Sequence, residues 1–596
     1  MSDEPKTNEP KTNEPAPKPT LKKELTMEQR LLLAFALMGI VLFATPYLFK
    51  SPAPPAPQKK ATTATQAQTT APAPGTPAPA AAVPAKVDST AKGKGQRGAA
   101  EKIAAQKIAA EQEQVYTVET DLYKVVFSNR GAVVQQWILK KYTDDNGKPL
   151  ALVNEAGVAK AGYPFTLVFD PKKPAVDVNA ALFAAKPADD GLSITYEYSE
   201  GAVTARKTFR FEKSRYITQI STEVTENGAP IPHLIAWRGG FGDPSLPNAA
   251  AAQHSIYFDL TENKLNTHDA KAAKNGPVSS EGNFSFAGIE DTYFTAAFLP
   301  VAGPVKLVTF SDTVPTAANP KEEPHVGIGI GNSHNNFAVF VGPKDIDILN
   351  SVNPQLVRIV DFGWFSFLAK PLFLGLHYVN DHWVHNYGWA IVIVTVIINF
   401  LLFPLKLSNL KSMKKMQALQ PQIAAISEKY KGISMRDPRK QQQNEETMAL
   451  YKKHGANPMG GCLPMAAQIP FFIAFYKVLS VSIELRHASW LWVPDLASPE
   501  HLPIHILPIA MIVTQFIQQK MTPTTTVDPN QQRMMLIMPL VMGFFFYNLA
   551  SGLVLYYFTV NLVGIAQQVF FNKTVTVADM PQPMPPGKKQ NDRNKR

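Results

Sequence analysis

A small set of polar side chains stands inside otherwise apolar runs in the last third of the sequence: Thr395 and Asn399, Gln468, Gln515, then Tyr557, Asn561 and Gln568. Neutral amides and hydroxyls with no neighbouring base do no covalent chemistry; they hydrogen-bond and hold water. Thr395 and Asn399 are four residues apart and share a helix face. In hydrocarbon such groups need partners or water. Each alone reads as glue between helices, while the whole set reads as the lining of a wet cavity. Lys477 is the formal charge well inside an apolar run, but ~25 Å along its helix it can snorkel to the outer headgroups. Machinery for breaking bonds is missing. The sequence has no glycine-rich phosphate loop, no H-E-x-x-H, no G-x-S-x-G and no paired carboxylates in an apolar run. The single cysteine, Cys462, rules out an intramolecular disulfide and a Cys-based metal cluster, and reads as a small buried hydrophobe. Asp243, His233 and Arg238 are scattered and form no acid/base spacing. No enzyme activity, cofactor or metal is expected.

The elements that must position this polar set are membrane helices. A mean hydropathy of −0.10 averages two extremes. Residues 386–405, 460–483, 503–521, 534–549 and 553–571 are apolar runs long enough to be spanning candidates, numbered here as spans two to six. Residues 361–382 mix aromatic and apolar residues with Lys370, His377 and Asn380, which suits a helix lying in the interface. The net charge of +11 (59 Lys and Arg against 48 Asp and Glu) is concentrated in short segments beside these runs. The segment 406–458 is strongly basic, as is the tail 572–596, whereas the loop 484–502 carries only Arg486 as a base. That asymmetry places 406–458, the short loop 522–533 and the tail in the cytoplasm. Within 406–458, apolar residues recur every three or four positions from Leu407 to Tyr430, Gly432 offers a turn, and Pro438 suits the start of a second helix. The reading is a basic helical hairpin, with Lys411, Lys414, Lys415, Arg436, Arg439 and Lys440 available to dock anionic lipid headgroups, ribosome or nascent chain.

The remainder is organised differently. Residues 1–30 are a polar, Pro-rich tail that cannot bury a core. Residues 31–49 form a first span, too long for the apolar region of a signal peptide and without a cleavage site after it. Residues 50–114 are a Pro/Ala-rich disordered linker, with a short exposed helix conceivable over 101–114. From 115 to 345, alternating stretches broken by Asn-Gly turns predict an all-β sandwich. Following an anchor with its N-terminus inside, this domain lies outside the cytoplasm, and both termini are cytoplasmic.

The motifs Asn457-Pro458-Met459-Gly460-Gly461-Cys462, Gln468-Ile469-Pro470, Ile483-Glu484-Leu485-Arg486 and Ser551-Gly552-Leu553-Val554-Leu555-Tyr556-Tyr557, with Leu419-Gln420-Pro421, resemble the YidC/Oxa/Alb insertase family, in its Gram-negative form with a large periplasmic domain. The resemblance covers 115–573 in order. It implies a multi-domain membrane protein of the bacterial inner membrane: an N-terminal transmembrane anchor, an all-β periplasmic supersandwich, and a five-helix transmembrane insertase core with a cytoplasmic helical hairpin. It implies a groove open to cytoplasm and lipid, lined by Asn399, Thr395, Gln468, Gln515, Tyr557 and Asn561, with Ile469 and Pro470 on the face along which a client slides. Nascent membrane proteins are the implied clients. The Sec translocon, the ribosome (weakly) and anionic lipids are implied partners, and a monomer the working unit. Two departures stand out: most relatives have an arginine where this chain has Asn399, and Ala550 replaces the usual proline before Ser551. A secondary transporter or channel is the alternative, against which stand the missing inverted repeat and the missing midplane charge.

Overall fold

The computed structural model describes residues 107–574, except 247–248, 301–302, 317–318, 333–334, 434–436, 457–462 and 523–528. The first span, the tail 1–30, most of the linker, Arg436, Cys462, half of the loop 522–533 and nearly all of the basic tail lie outside the described residues, and the second half of that loop belongs to the helix Pro529–Phe546.

Strands fill the chain from Val115 to Pro343, every pairing antiparallel, in sheets of four, ten and five strands. Strand Val203–Phe211 shows why. Val203, Ala205, Phe209 and Phe211 point inward while Thr204, Arg206 and Arg210 point to solvent, the period-two pattern of a half-buried strand. The three sheets share an aromatic centre, in which Trp137 lies 6.3 Å from both Phe165 and Trp237, and Phe165 lies 5.6 Å from Phe209. Lys207 occupies an inward position of the same strand. Its Nζ donates to the carbonyls of Gly131, Phe165 and Ala132, and burial pulls its pKa down to about 7.

Residues 107–114 depart from the expected helix and linker. They run extended against the β domain, where Ile108 exchanges backbone hydrogen bonds with Ser199 at 3.0 and 2.8 Å, and Glu113 pairs with Arg130. Unpaired strand-edge groups of the domain outcompete a marginal helix of this length.

A short helix, Ile346–Val352, capped by Asp345 Oδ1 accepting from the Ile348 amide at 2.9 Å, leads out of the β domain. Helix α1, Ser366–Val379, follows, and the chain turns by 116° before α2, Tyr387–Leu401. His385, with φ of 48°, sits at the turn, and Asn386 caps α2 through the Trp389 amide. Trp364, Phe367, Leu374, Tyr378 and Trp383 remain exposed, as suits a helix lying flat in an interface.

The hairpin comprises α3 (Phe403–Ala418), α4 (Gln420–Lys429) and α5 (Arg439–Lys453). The single stripe expected from Leu407 to Tyr430 is divided at Leu419, because Pro421 in the next turn has no amide to continue the ladder. Met416, Leu419, Ile423, Tyr451 and Ala456 form a small core separate from the rest of the protein. The bundle is completed by α6 (Leu463–Val481), α7 (Ile506–Met521), α8 (Pro529–Phe546) and α9 (Ser551–Thr574). Its exterior is apolar: Ile509, Val513, Ile517, Leu540, Phe544, Leu562 and Phe570 are all exposed. A soluble protein would have to hide such a belt.

The β domain and the bundle share one continuous apolar core that runs through Leu349, Leu356, Phe362 and Phe373. They are also joined by charge. Arg486, just past α6, forms a fully buried ion pair with Asp243 of the β domain, between the rings of Tyr293 and Phe294. His487 Nδ1 lies 3.2 Å from Thr143 Oγ1.

Candidate functional site

The interior of the bundle is where the polar set gathers. On α2, the Thr395 hydroxyl donates to Ile391 O at 2.6 Å and Asn399 Nδ2 donates to Thr395 O at 2.9 Å, so both turn back onto their own helix. Both are buried. From α9, Gln567 Nε2 donates to the backbone oxygen of Asn399 at 3.1 Å, and Asn561 Nδ2 donates to Met511 O at 3.2 Å and Thr514 Oγ1 at 3.4 Å on α7. A polar seam therefore links α2, α9 and α7. Gln567 Oε1 on this seam and Gln515 Oε1 on α7 are buried without a hydrogen-bond partner among the described residues. An amide oxygen left so costs roughly 1–3 kcal/mol, which water removes.

Other expected residues fall elsewhere. Gln468 on α6 donates to the hydroxyl of Tyr556 at 2.8 Å, and Tyr556 stacks on Phe475 with ring centroids 4.2 Å apart. Tyr557 is half-buried in an aromatic wall, 5.1 Å from Phe546 and 6.4 Å from Phe472. Ile469 and Pro470 are half-buried on α6, and Gln568 bonds Asn572 near the end of α9. Lys477 reaches the start of the interfacial segment, where a Cβ on Gly363 would lie 3.3 Å from its Cε. Of the basic hairpin residues, Lys411 is exposed and Lys415 half-buried, Lys414 Nζ sits 4.8 Å over the Phe571 ring, Arg439 pairs with Asp437, and Lys440 bonds Gln443.

Gln567 and Tyr556 were not singled out from sequence. Gln567 and Tyr556 each neighbour a residue that was, and adjacent helical positions point about 100° apart. Only the packed helices decide which faces inward. His233, Arg238 and Asp243 are each occupied structurally: His233 bonds Thr222 and Ile231 O, Arg238 pairs with Asp312, and Asp243 pairs with Arg486. Among the described residues no cluster of His, Cys, Asp or Glu could hold a metal ion.

An apolar exterior, a hydrogen-bonded polar seam inside and an attached β-rich domain fit the class of membrane-embedded helical proteins, and among the described residues Ser551–Thr574 is long and apolar enough to cross a bilayer by itself. Residues 379–578 match the family model described as 60Kd inner membrane protein, and residues 115–374 match the YidC periplasmic domain. The membrane protein insertase YidC of Geobacter sp. (strain M21) is 36% identical over 478 residues, covering 77% of this chain and 85% of that one. The YidC of Geotalea uraniireducens (strain Rf4) is 36% identical over 485 residues, covering 77% and 87%. A crystal structure of an active YidC insertase with its first transmembrane domain resolved aligns with 78% of this chain and 95% of its own, at 19% identity and a TM-score of 0.34. The chain belongs to the YidC family of membrane protein insertases, which are not enzymes. It is an inner membrane protein with a β-rich periplasmic domain followed by a helical insertase region.

Proposed function

We propose that nascent membrane proteins pass into the bilayer along the seam formed by Thr395, Asn399, Gln515 and Asn561, hydrated from the cytoplasmic side, with Gln468 and Tyr557 at its margin. The observation that carries this reading is the pair of buried, unpartnered amide oxygens of Gln515 and Gln567 in a bundle whose exterior is apolar. Helix length supports it. Helix α2 has 15 residues and α7 has 16, or ~22 and ~24 Å at 1.5 Å per residue, short of a ~30 Å hydrocarbon layer. Helices this short favour a locally thinned bilayer.

The energetics then need no fuel. An apolar client segment gains ~0.8 kcal/mol per CH₂ on entering lipid. Its polar flank is the obstacle, since each charge costs roughly 2.5–3.5 kcal/mol near the membrane centre. A wet, thin path lowers that barrier, while the apolar part of the client slides past Ile469 and Pro470. In this reading six spans leave both termini in the cytoplasm, and the hairpin and tail dock the ribosome and anionic lipids. The protein works as a monomer, alone or with the Sec translocon.

Photocrosslinkers placed at positions 399 and 469 test this. Both should capture a ribosome-stalled client whose first span has just emerged. Capture at neither, with capture at an outward position such as Leu540, would refute the route.

A further inference from the structure

Where α1 meets the β domain, four carboxylates and one histidine come together from separate elements. His377, in the last turn of α1, presents Nε2 to Asp381 Oδ2 at 3.0 Å and to Asp347 Oδ2 at 3.6 Å. Asp347 belongs to the short helix Ile346–Val352 that leads out of the β domain. The Nδ1 of His377 lies 3.2 Å from the hydroxyl of Tyr387, the first residue of α2, and its ring stacks on Phe373. One imidazole therefore touches the connector from the β domain, the turn after α1, and α2. Glu484, just past α6, is half-buried near the same group, with Asp345, Asp347 and Asp381 as its charged neighbours. Tyr142 of the β domain and Tyr387 also face it. The nearby cations are engaged or placed elsewhere. Arg486 is paired with Asp243, Lys477 of α6 lies beside Gly363 at the opposite end of α1, and Lys370 is exposed.

Acid acts on His377 and Glu484 in one direction. Protonation of the imidazole turns its contacts with Asp347 and Asp381 into ion pairs. Protonation of Glu484 removes a charge that three carboxylates repel. Burial, then those carboxylates, push Glu484 up to about 7. The packed arrangement thus holds this proton more tightly than a separated one, and by linkage a pH above 7 favours separation. The backbone supplies a hinge. The turn Asn380–Val384 between α1 and α2 is wound wider than an α-helix, with the His385 amide bonded to Asn380 O at 2.8 Å and His385 at a φ of 48°.

We propose that His377 and Glu484 form a proton-operated latch, which holds α1 against the β domain when the outer side is acidic and releases it about the turn Asn380–Val384 as that side becomes alkaline. Because the same turn leads into α2, the latch ties the outer end of the bundle to the β domain. It does not depend on the route proposed for the client.

The test uses the full-length protein in lipid nanodiscs, with Cys462 replaced by Ser and spin labels on Ser351 of the connector and Leu374 of α1, both exposed. Pulsed electron resonance should give one short distance near pH 5.5 and a second, longer component whose share rises about fivefold near pH 8. Glu484→Gln should keep the short distance near pH 8. His377→Gln should raise the longer component near pH 5.5 about twofold or more over the parent. A parent distribution that is the same at both pH values overturns the latch, as does a full pH response in both variants. Should His377→Gln fail to accumulate, Glu484→Gln decides alone: a retained short distance near pH 8 supports the latch, and the parental response overturns it.

Discussion

Asn399 Nδ2 is bonded to its own helix one turn back, and only its backbone oxygen is used by α9. Removing the amide therefore disturbs little of the packing, and Asn399→Leu should change stability by no more than about 1 kcal/mol. It does remove a hydrating group from the seam. The variant is expected to reach wild-type levels in the membrane yet insert clients several-fold more slowly, measured by protease protection of a pulse-labelled client. Arg486 and Asp243 present the opposite case. Their ion pair is sealed from water, and Asp243 also accepts from Ser245. Asp243→Ala should destabilise the purified protein by about 3–5 kcal/mol, because the guanidinium is left buried without its counter-charge. Combining it with Arg486→Met should recover much of the loss in thermal unfolding.

At the scale of elements, the junction after α6 carries a pH dependence. Burial, reinforced by the carboxylates of Asp345, Asp347 and Asp381, pushes Glu484 up to about 7. Buried Asp291, beneath the Asp243 loop, is likewise pushed up to about 6 by burial, in spite of three backbone amides. The folded protein holds these protons more tightly than the unfolded chain, whose glutamates titrate near 4.5. Stability should therefore fall as pH rises from 4.5 through 7. Unfolding in detergent is expected at a higher temperature near pH 5.5 than near pH 7.5, and Glu484→Gln should shrink that difference. The hairpin has its own small core and should be separable: deleting 411–453 is expected to impair insertion while the remaining bundle keeps its helical circular dichroism and its unfolding transition. The elements that were legible in the sequence are those with a strong local signal, such as the alternation of Val203–Phe211 and the interfacial aromatics from Trp364. The break at Leu419 and the extended run 107–114 were not, since each depends on competition between local propensity and a distant partner. The Arg486–Asp243 bridge joins residues far apart in the chain, which no spacing rule finds.

For the molecule as a whole, the bundle is apolar on both its outside and most of its inside, with a polar seam running between. Apolar side chains such as Val513, Leu540 and Phe544 face outward, and the amides of Asn399, Asn561 and Gln567 lie within an otherwise apolar interior. That seam inside an apolar belt is the basis of the proposed route of a polypeptide segment sideways into lipid. The proposed route depends on water entering the interior from one side. The direct measurement replaces Cys462 and places single cysteines at Thr395, Asn399, Gln515 and Asn561, with Leu540 as the lipid-facing control, in oriented membrane vesicles treated with a membrane-impermeant maleimide. The seam positions are predicted to react from the cytoplasmic face and not from the outer face, while position 540 stays unlabelled. Seam positions as inert as position 540 from both faces would mean a dry, sealed bundle and would contradict the groove.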